Sequence, residues 1–183
     1  MTKHSNPAVR MNWSAVLVSV LLGVLLFFGV FYLSNTSPAE AKSYPIVRSC
    51  QGLTVKQVGK NWVTVKKSNG SRVNYTGVAE NSNGWWKVEN GKVDFGYNGF
   101  ADNENGTWLI RNGKVDFGYG GLYMTEDGVW HYIENGKVLP NYEGLIANNY
   151  GAWYVKDGTV QFGFTGTYQG YSVQTGKVSG KTS

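Results

Sequence analysis

The sequence predicts an all-β protein, in which stacked β-hairpin repeats form a solenoid after an N-terminal transmembrane or signal helix. Three observations support this prediction. A segment of about 22 residues recurs four times, at residues 78–99, 100–121, 122–144 and 145–166. Each copy contains an Asn-Gly or Asp-Gly pair between two short runs rich in aromatic and β-branched residues, and a long uncharged apolar run lies near the start of the chain. A fixed period in this range is typical of repeat proteins, which build extended binding surfaces.

The apolar run at residues 13–33 predicts a segment that enters or crosses a membrane. It is long enough to span a bilayer as a helix and longer than the apolar region of most signal peptides. However, Ala39-Glu40-Ala41 fits a signal-peptidase site, so a retained anchor and a cleaved signal peptide both remain open. Residues 1–12 are then a cytoplasmic tail. We expect the repeats at the extracellular face of the plasma membrane or in the cell wall, or secreted if cleavage follows Ala41.

The part of the chain between the apolar run and the clear repeats predicts a linker and a worn repeat. Residues 34–50 contain two prolines and small polar residues, which is typical of a linker. Residues 51–77 contain Trp62 and a turn, and we interpret them as a degenerate, basic first repeat. The hairpin repeats occupy residues 78–183 and end in a truncated unit, in which Tyr171 takes the place of the tryptophan. A stacked array needs such atypical end units, because its two ends must be closed off.

The charge of the chain is uneven. The net charge is +5, yet residues 42–77 alone hold seven Lys or Arg residues and no Asp or Glu. This segment either attracts an anionic polymer or lipid head groups, or it is a solvated stalk beside the membrane. Nucleic acid is not an expected partner of an exported chain. The single cysteine, Cys50, excludes an internal disulfide.

Within each repeat the order of residues predicts a hairpin. In the first clear copy, Trp86-Lys87-Val88 alternates apolar and polar residues, Asn90-Gly91 supplies the positive φ angles of a tight turn, and Val93-Asp94-Phe95 alternates again. A single hairpin is only marginally stable in water. We therefore expect successive hairpins to stack, with columns of Trp and of Tyr or Phe as the core.

The repeated pattern N-G-x-W-x-V-x-N-G-K-V-x-F-x-Y-x-G resembles the cell-wall-binding repeats of Gram-positive surface proteins, which are relatives of choline-binding and glucan-binding repeats. The resemblance implies a left-handed solenoid of β-hairpins. It also implies ligand sites between consecutive hairpins, where two or three aromatic rings form a cage. In choline-binding repeats one of these rings is a Trp directly after the closing glycine. Of the residues at that place in this chain, only Phe100 is aromatic.

Ten aromatic residues are candidates for ligand contact. The strand tryptophans and the tyrosines before the closing glycines are candidates through the resemblance, although a periodic Trp is also what a structural core requires. Trp85 and Tyr154 stand next to a strand tryptophan and should point to the opposite face of the sheet, which suits an exposed ring that stacks on a sugar. The full set is Trp85, Trp86, Tyr97, Phe100, Trp108, Tyr119, Trp130, Tyr142, Trp153 and Tyr154.

The sequence gives little support for catalysis. His131 is the only histidine after the apolar run, and no nucleophile-elbow, phosphate-loop or dinucleotide motif is present. Asp94 and Asp116 recur at the repeat period, which indicates solvated structural positions. We predict that the chain is not an enzyme and that it uses no metal and no cofactor.

Together these observations predict a non-catalytic cell-envelope protein whose repeats bind cell-wall or extracellular polysaccharide or teichoic acid, with membrane contact through residues 13–33. The alternative is an extracellular structural or adhesin spacer that contacts a surface protein partner and whose tryptophans are only packed.

Overall fold

A computed structural model describes residues 43–182 of the chain. The predicted tail at residues 1–12, the apolar segment at residues 13–33 and the first part of the linker lie outside these residues. No helix long and apolar enough to cross a membrane occurs between residues 43 and 182.

The described residues form seventeen β-strands, and every pairing between strands is antiparallel. In chain order the strands are β1 Leu53–Val58, β2 Asn61–Lys66, β3 Gly77–Asn81, β4 Gly84–Glu89, β5 Lys92–Val93, β6 Gly99–Asn103, β7 Gly106–Arg111, β8 Lys114–Val115, β9 Gly121–Met124, β10 Trp130–Glu134, β11 Lys137–Val138, β12 Gly144–Asn148, β13 Gly151–Lys156, β14 Thr159–Val160, β15 Gly166–Tyr168, β16 Tyr171–Gln174 and β17 Lys177–Lys181. The prediction of an all-β protein with a repeat of about 22 residues is confirmed.

Each clear repeat contributes two long strands and one short strand. In the first, β3 pairs with β4, and β4 turns at Asn90-Gly91 into β5. Asn90 has a φ of 49°, and the residues at the same place in the next repeats, Asn112, Asn135 and Asp157, have φ values of 49°, 49° and 50°. The side chains of Asn and Asp tolerate this left-handed conformation better than most others, which explains why these residues precede each turn glycine.

Successive repeats are joined by pairing between the long strand of one repeat and the short strand of the next. This pairing links β2 to β5, β4 to β8, β7 to β11, β10 to β14 and β13 to β17. Between the first two repeats, Lys87 N donates to Gly113 O at 2.8 Å and Gly113 N donates to Tyr97 O at 2.9 Å. Each hairpin therefore supplies backbone partners to its neighbour, as the marginal stability of a lone hairpin requires.

The most deeply buried column of side chains is aliphatic. Val88, Ile110, Ile133 and Val155 occupy the same place in the four repeats, three residues before the turn glycine, and each is 0% exposed. Each pairs with a valine of the following short strand. Burying a side chain of this size contributes about 1.5–3 kcal/mol. The expectation that columns of Trp form the core is therefore wrong, because most tryptophans are half-buried beside the aliphatic column.

The segment before the first hairpin also contacts the array, although we assigned it to the linker. Val47 N donates to Asn74 O at 2.9 Å, and Arg72 lies over the ring of Tyr44 at 4.4 Å. Cys50 reaches the second clear repeat, where its backbone N–H donates to Glu104 Oε1 at 2.7 Å. The last residues of the predicted linker thus close the first end of the array.

Candidate functional site

Strand pairing defines which residues are equivalent in successive hairpins. Trp86, Trp108 and Trp153 pair with Lys114, Lys137 and Lys177 of the next unit. We call this place the register position.

In the third hairpin the register position is held by His131, which pairs with Thr159, and not by Trp130. Trp130 stands one residue earlier, where Trp85 stands in the first repeat. The third repeat, at residues 122–144, is one residue longer than the others, and strand pairing places the extra residue in the hairpin tip between Met124 and Trp130. The expectation that Trp130 is equivalent to the other strand tryptophans is therefore wrong. In the degenerate repeat at residues 51–77 likewise, Val63 holds the register position and Trp62 precedes it.

This register brings aromatic rings of consecutive hairpins together in three places. Each aromatic cluster contains a tryptophan one residue before the register position, the register tryptophan of a following hairpin, and a phenylalanine four residues after that hairpin's turn glycine. Cluster 1 is Trp62, Trp86 and Phe95; cluster 2 is Trp85, Trp108 and Phe117; cluster 3 is Trp130, Trp153 and Phe162.

The rings of one cluster touch each other and leave one member open to solvent. In cluster 2 the Trp85 and Trp108 ring centroids are 4.9 Å apart, and Phe117 lies 5.6 Å from both. The three phenylalanines, Phe95, Phe117 and Phe162, are 47%, 42% and 44% exposed. The aliphatic column already forms the core, and it leaves these large rings partly exposed. Partly exposed aromatic groups that recur in this way are typical of a binding surface.

Each register tryptophan already carries a cation over its ring. The Nζ atoms of Lys114, Lys137 and Lys177 lie 5.3, 5.6 and 5.5 Å from the ring centroids of Trp86, Trp108 and Trp153. An ammonium group over an indole face is attracted by the ring quadrupole. These lysines therefore place a positive charge over one face of each register tryptophan.

An asparagine at each hairpin tip fixes the orientation of the register tryptophan. In the second repeat, Asn103 Oδ1 accepts from Trp108 Nε1 at 3.0 Å and from Asn105 N at 2.9 Å. Asn81 and Asn148 accept from Trp86 and Trp153 in the same way, at 2.9 and 3.0 Å. The indole N–H of each register tryptophan is thereby satisfied inside the protein.

The predicted tyrosines do not join the clusters. Tyr97 and Tyr119 donate their hydroxyls to the carbonyls of Phe100 and Leu122 at 2.6 and 2.7 Å, which braces the bend into the next hairpin. Tyr142 packs against Tyr132 with ring centroids 4.0 Å apart. Phe100 lies 5.5 Å from the Tyr123 ring and 5.1 Å from the His131 ring.

Two expectations of exposure are corrected. Trp85 is half-buried and packs on the next hairpin in cluster 2, so it is not a free-standing ring. Tyr154 is only 5% exposed, because it packs between the rings of Phe164 and Tyr168. Its hydroxyl donates to Glu143 Oε1 at 2.7 Å, and this bond together with burial raises the pKa of Tyr154 to about 12.

Four members of the clusters were not among the predicted site residues, namely Trp62, Phe95, Phe117 and Phe162. The phenylalanines recur four residues after the turn glycine, which is a visible signal. However, their meeting with a tryptophan of the preceding hairpin depends on the stacking register.

One titratable pair lies apart from the clusters. Cys50 Sγ donates to Glu104 Oε2 at 2.6 Å. Burial and this hydrogen bond raise the pKa of the Cys50 thiol to about 11, and the bond lowers the pKa of Glu104 to about 2. Burial lowers the pKa of His131. Over residues 43–182, no group of three or more His, Cys, Asp and Glu side chains is placed to hold a metal ion.

The repeats match a known family. The family model of the choline-binding repeat matches residues 74–94, 96–116, 118–139 and 141–161. The four matches together fall within residues 74–161, so this part of the chain is similar to choline-binding repeats.

Comparison with solved structures gives a more distant likeness. The chain is similar to choline binding protein F from Streptococcus pneumoniae, at 22% sequence identity and a TM-score of 0.34, over 68% of this chain and 39% of that one. The chain thus spans well under half the length of that protein. No curated protein sequence matches the chain.

Proposed function

We propose that this chain is a non-catalytic cell-envelope protein that holds choline groups of a wall polymer, such as a teichoic acid, in its three aromatic clusters. The observation that carries the proposal is the recurrence of the same three-ring arrangement between consecutive hairpins. A quaternary ammonium group is recognised by several aromatic faces and needs no hydrogen-bond partner. The clusters fit this need, since the indole N–H groups of Trp86, Trp108 and Trp153 are already bound to asparagines.

The choline-binding repeat model supports the same ligand class. It also supports the view that the stacked hairpins continue as a solenoid, in which each new hairpin adds a possible site. The third hairpin is the exception, because Thr107, His131 and Pro140 stand where the rings of a cluster would stand. We therefore expect three sites and a gap between the second and third.

The predicted location completes the proposal. Residues 13–33 anchor the chain in the plasma membrane, or direct its export if cleavage follows Ala41, and the repeats then face the wall. A wall polymer presents many choline groups in one chain. Sites arranged along an array bind such a polymer more tightly than any site binds free choline, because the second contact is intramolecular.

The test is a titration of the full-length chain with choline, in which binding is measured by tryptophan fluorescence and by calorimetry. A polyoxyethylene detergent keeps residues 13–33 soluble and carries neither an ammonium nor a sugar head group. Ethanolamine, which has the same chain but no methyl groups, is the control ligand. We expect saturable binding of choline at three sites, and weaker binding of ethanolamine because its ammonium is more strongly hydrated.

Trp85→Ala is the matched variant, because the fourth hairpin carries Ala152 at the same place. It should remove cluster 2 and reduce the number of choline sites from three to two. Equal affinity for choline and ethanolamine, or three sites in Trp85→Ala, contradicts the proposal. Absence of binding to both choline and purified wall polymer favours the alternative of a structural spacer.

A further inference from the structure

A cleft of about 480 Å³ lies between the third and fourth hairpins. Its aromatic and apolar walls come from Tyr119, Tyr123, Met124, Trp130 and Tyr150. We call it the third-hairpin cleft. It is not one of the three clusters, although it shares Trp130 with cluster 3.

The same place between the first two clear hairpins has a different chemistry. There the cleft is lined by Glu80, Trp85, Asn103 and Asn105, together with Cys50 and Lys67. Strand pairing equates Glu80 with Met124, since Glu80 pairs with Trp85 as Met124 pairs with Trp130.

Tyr150 is equivalent to Asn105, because both follow a tip asparagine by two residues and donate their backbone N–H to it at 2.9 Å. In the first cleft Lys67 forms an ion pair with Glu80 at 3.0 Å, and the Cys50 segment contributes to the wall. The third-hairpin cleft has apolar groups at the places of Glu80 and Asn105, and no charged side chain lines it.

The aromatic walls of the third-hairpin cleft are open to solvent. Tyr150 is 70% exposed and Met124 is 55% exposed. The rings of Tyr150 and Trp130 are perpendicular, at 90°, with centroids 5.8 Å apart. Two perpendicular rings can contact a flat ligand on its face and on its edge. Apolar side chains of this size are usually buried against the protein, so their exposure here is typical of a ligand-binding site.

An unused hydrogen-bond donor lies beside these rings. Asn148 Oδ1 accepts from Tyr150 N and from Trp153 Nε1, as its counterparts do. The Nδ2 atoms of Asn81 and Asn103 donate to carbonyls of the preceding hairpin at 3.3 and 3.4 Å. Asn148 Nδ2 has no such partner within the part of the chain that the structure describes, and Asn148 is one of the residues that line the cleft.

We propose that the third-hairpin cleft binds one pyranose unit of a neutral glycan. This inference rests on the proposed function, because it gives the wall-polymer binder a second kind of subsite. A pyranose ring has an apolar C–H face that packs on an aromatic ring, and hydroxyl oxygens that accept from a free amide N–H such as Asn148 Nδ2. A trimethylammonium group has no acceptor for that donor. A phosphate or carboxylate group would find no cation in the lining.

The test is a titration of the full-length chain, in the same polyoxyethylene detergent, with three neutral tetrasaccharides: chitotetraose, maltotetraose and cellotetraose. We expect at least one of these tetrasaccharides to bind saturably, as measured by tryptophan fluorescence. Tyr150→Asn and Met124→Glu each place in this cleft the residue that the chain itself carries at the equivalent place, so both variants should fold. We expect each to weaken sugar binding about tenfold or more.

The two proposals fail in different ways. Trp85→Ala should reduce choline binding and leave the sugar affinity unchanged, while Tyr150→Asn should reduce the sugar affinity and leave choline binding at clusters 1 and 2 unchanged. Failure of all three tetrasaccharides to bind overturns the glycan subsite, even if choline binds. Unchanged sugar affinity in both Tyr150→Asn and Met124→Glu also overturns it, since binding would then be elsewhere.

Discussion

Replacing the turn glycine Gly113 by alanine tests whether consecutive hairpins are in contact as closely as the structure indicates. A Cβ atom at Gly113 would lie 2.3 Å from Asp94 O and 2.6 Å from Phe95 Cα, both backbone atoms of the preceding repeat. Gly128, at the tip of the third hairpin, has a similar positive φ of 82° against 76° at Gly113, yet nothing lies within 4 Å of its Cβ place. Gly128→Ala is therefore a control that carries the conformational cost alone.

The two variants should differ clearly in stability. The left-handed conformation costs alanine about 1–2 kcal/mol at either position. At Gly113 the overlap with backbone adds about 1–3 kcal/mol. The shift also strains the bonds from Gly113 N to Tyr97 O and from Lys87 N to Gly113 O, each contributing about 1 kcal/mol.

We expect Gly113→Ala to lower the free energy of unfolding by at least about 2 kcal/mol more than Gly128→Ala does. The assay is urea unfolding of the full-length chain in detergent, followed by tryptophan fluorescence. Equal losses in the two variants would refute the close stacking of hairpins.

Three further predictions concern the residues that hold the array. Asn103→Ala removes the acceptor of Trp108 Nε1 and should lower the free energy of unfolding in urea by about 2 kcal/mol, while the control Ser82→Ala, at an exposed position in the tip of the first clear repeat, should be nearly neutral. Because the pKa of Cys50 is about 11, iodoacetamide should react slowly at pH 8 and faster in Glu104→Gln, and an unchanged rate would contradict the role of the carboxylate. The pKa of Glu104 is lowered from 4.5 to about 2, so its contribution to stability is present above pH 4.5 and is lost as the pH falls towards 2. The difference in the free energy of unfolding between the natural chain and Glu104→Gln should therefore shrink between pH 4.5 and pH 2. A constant difference would contradict the assignment.

The hairpins themselves could be predicted from the sequence because their signals are local. Asn90-Gly91 demands a tight turn wherever it stands, and its flanking residues alternate as strands do. The aliphatic column was visible for the same reason, since Val88 recurs as Ile110, Ile133 and Val155 at a fixed distance from the turn glycine. We instead expected the tryptophans to form the core, because they are the largest apolar side chains of each repeat.

The clusters required information that no single repeat contains. The tip of the third hairpin holds an extra residue, and strand pairing shows that His131 rather than Trp130 takes the register position. The face on which Tyr154 lies is likewise set by its pairing with the next hairpin. The bond between Cys50 and Glu104 joins residues 54 apart in sequence, and it depends on how the first segment folds back on the array.

The most direct test of the central claim is a crystal structure of the full-length chain with choline. We predict stacked hairpins with choline density at each of the three clusters, and none at the place of Thr107, His131 and Pro140. Choline bound away from Trp86, Trp108 and Trp153, or clusters that stay empty at saturating choline, would contradict it.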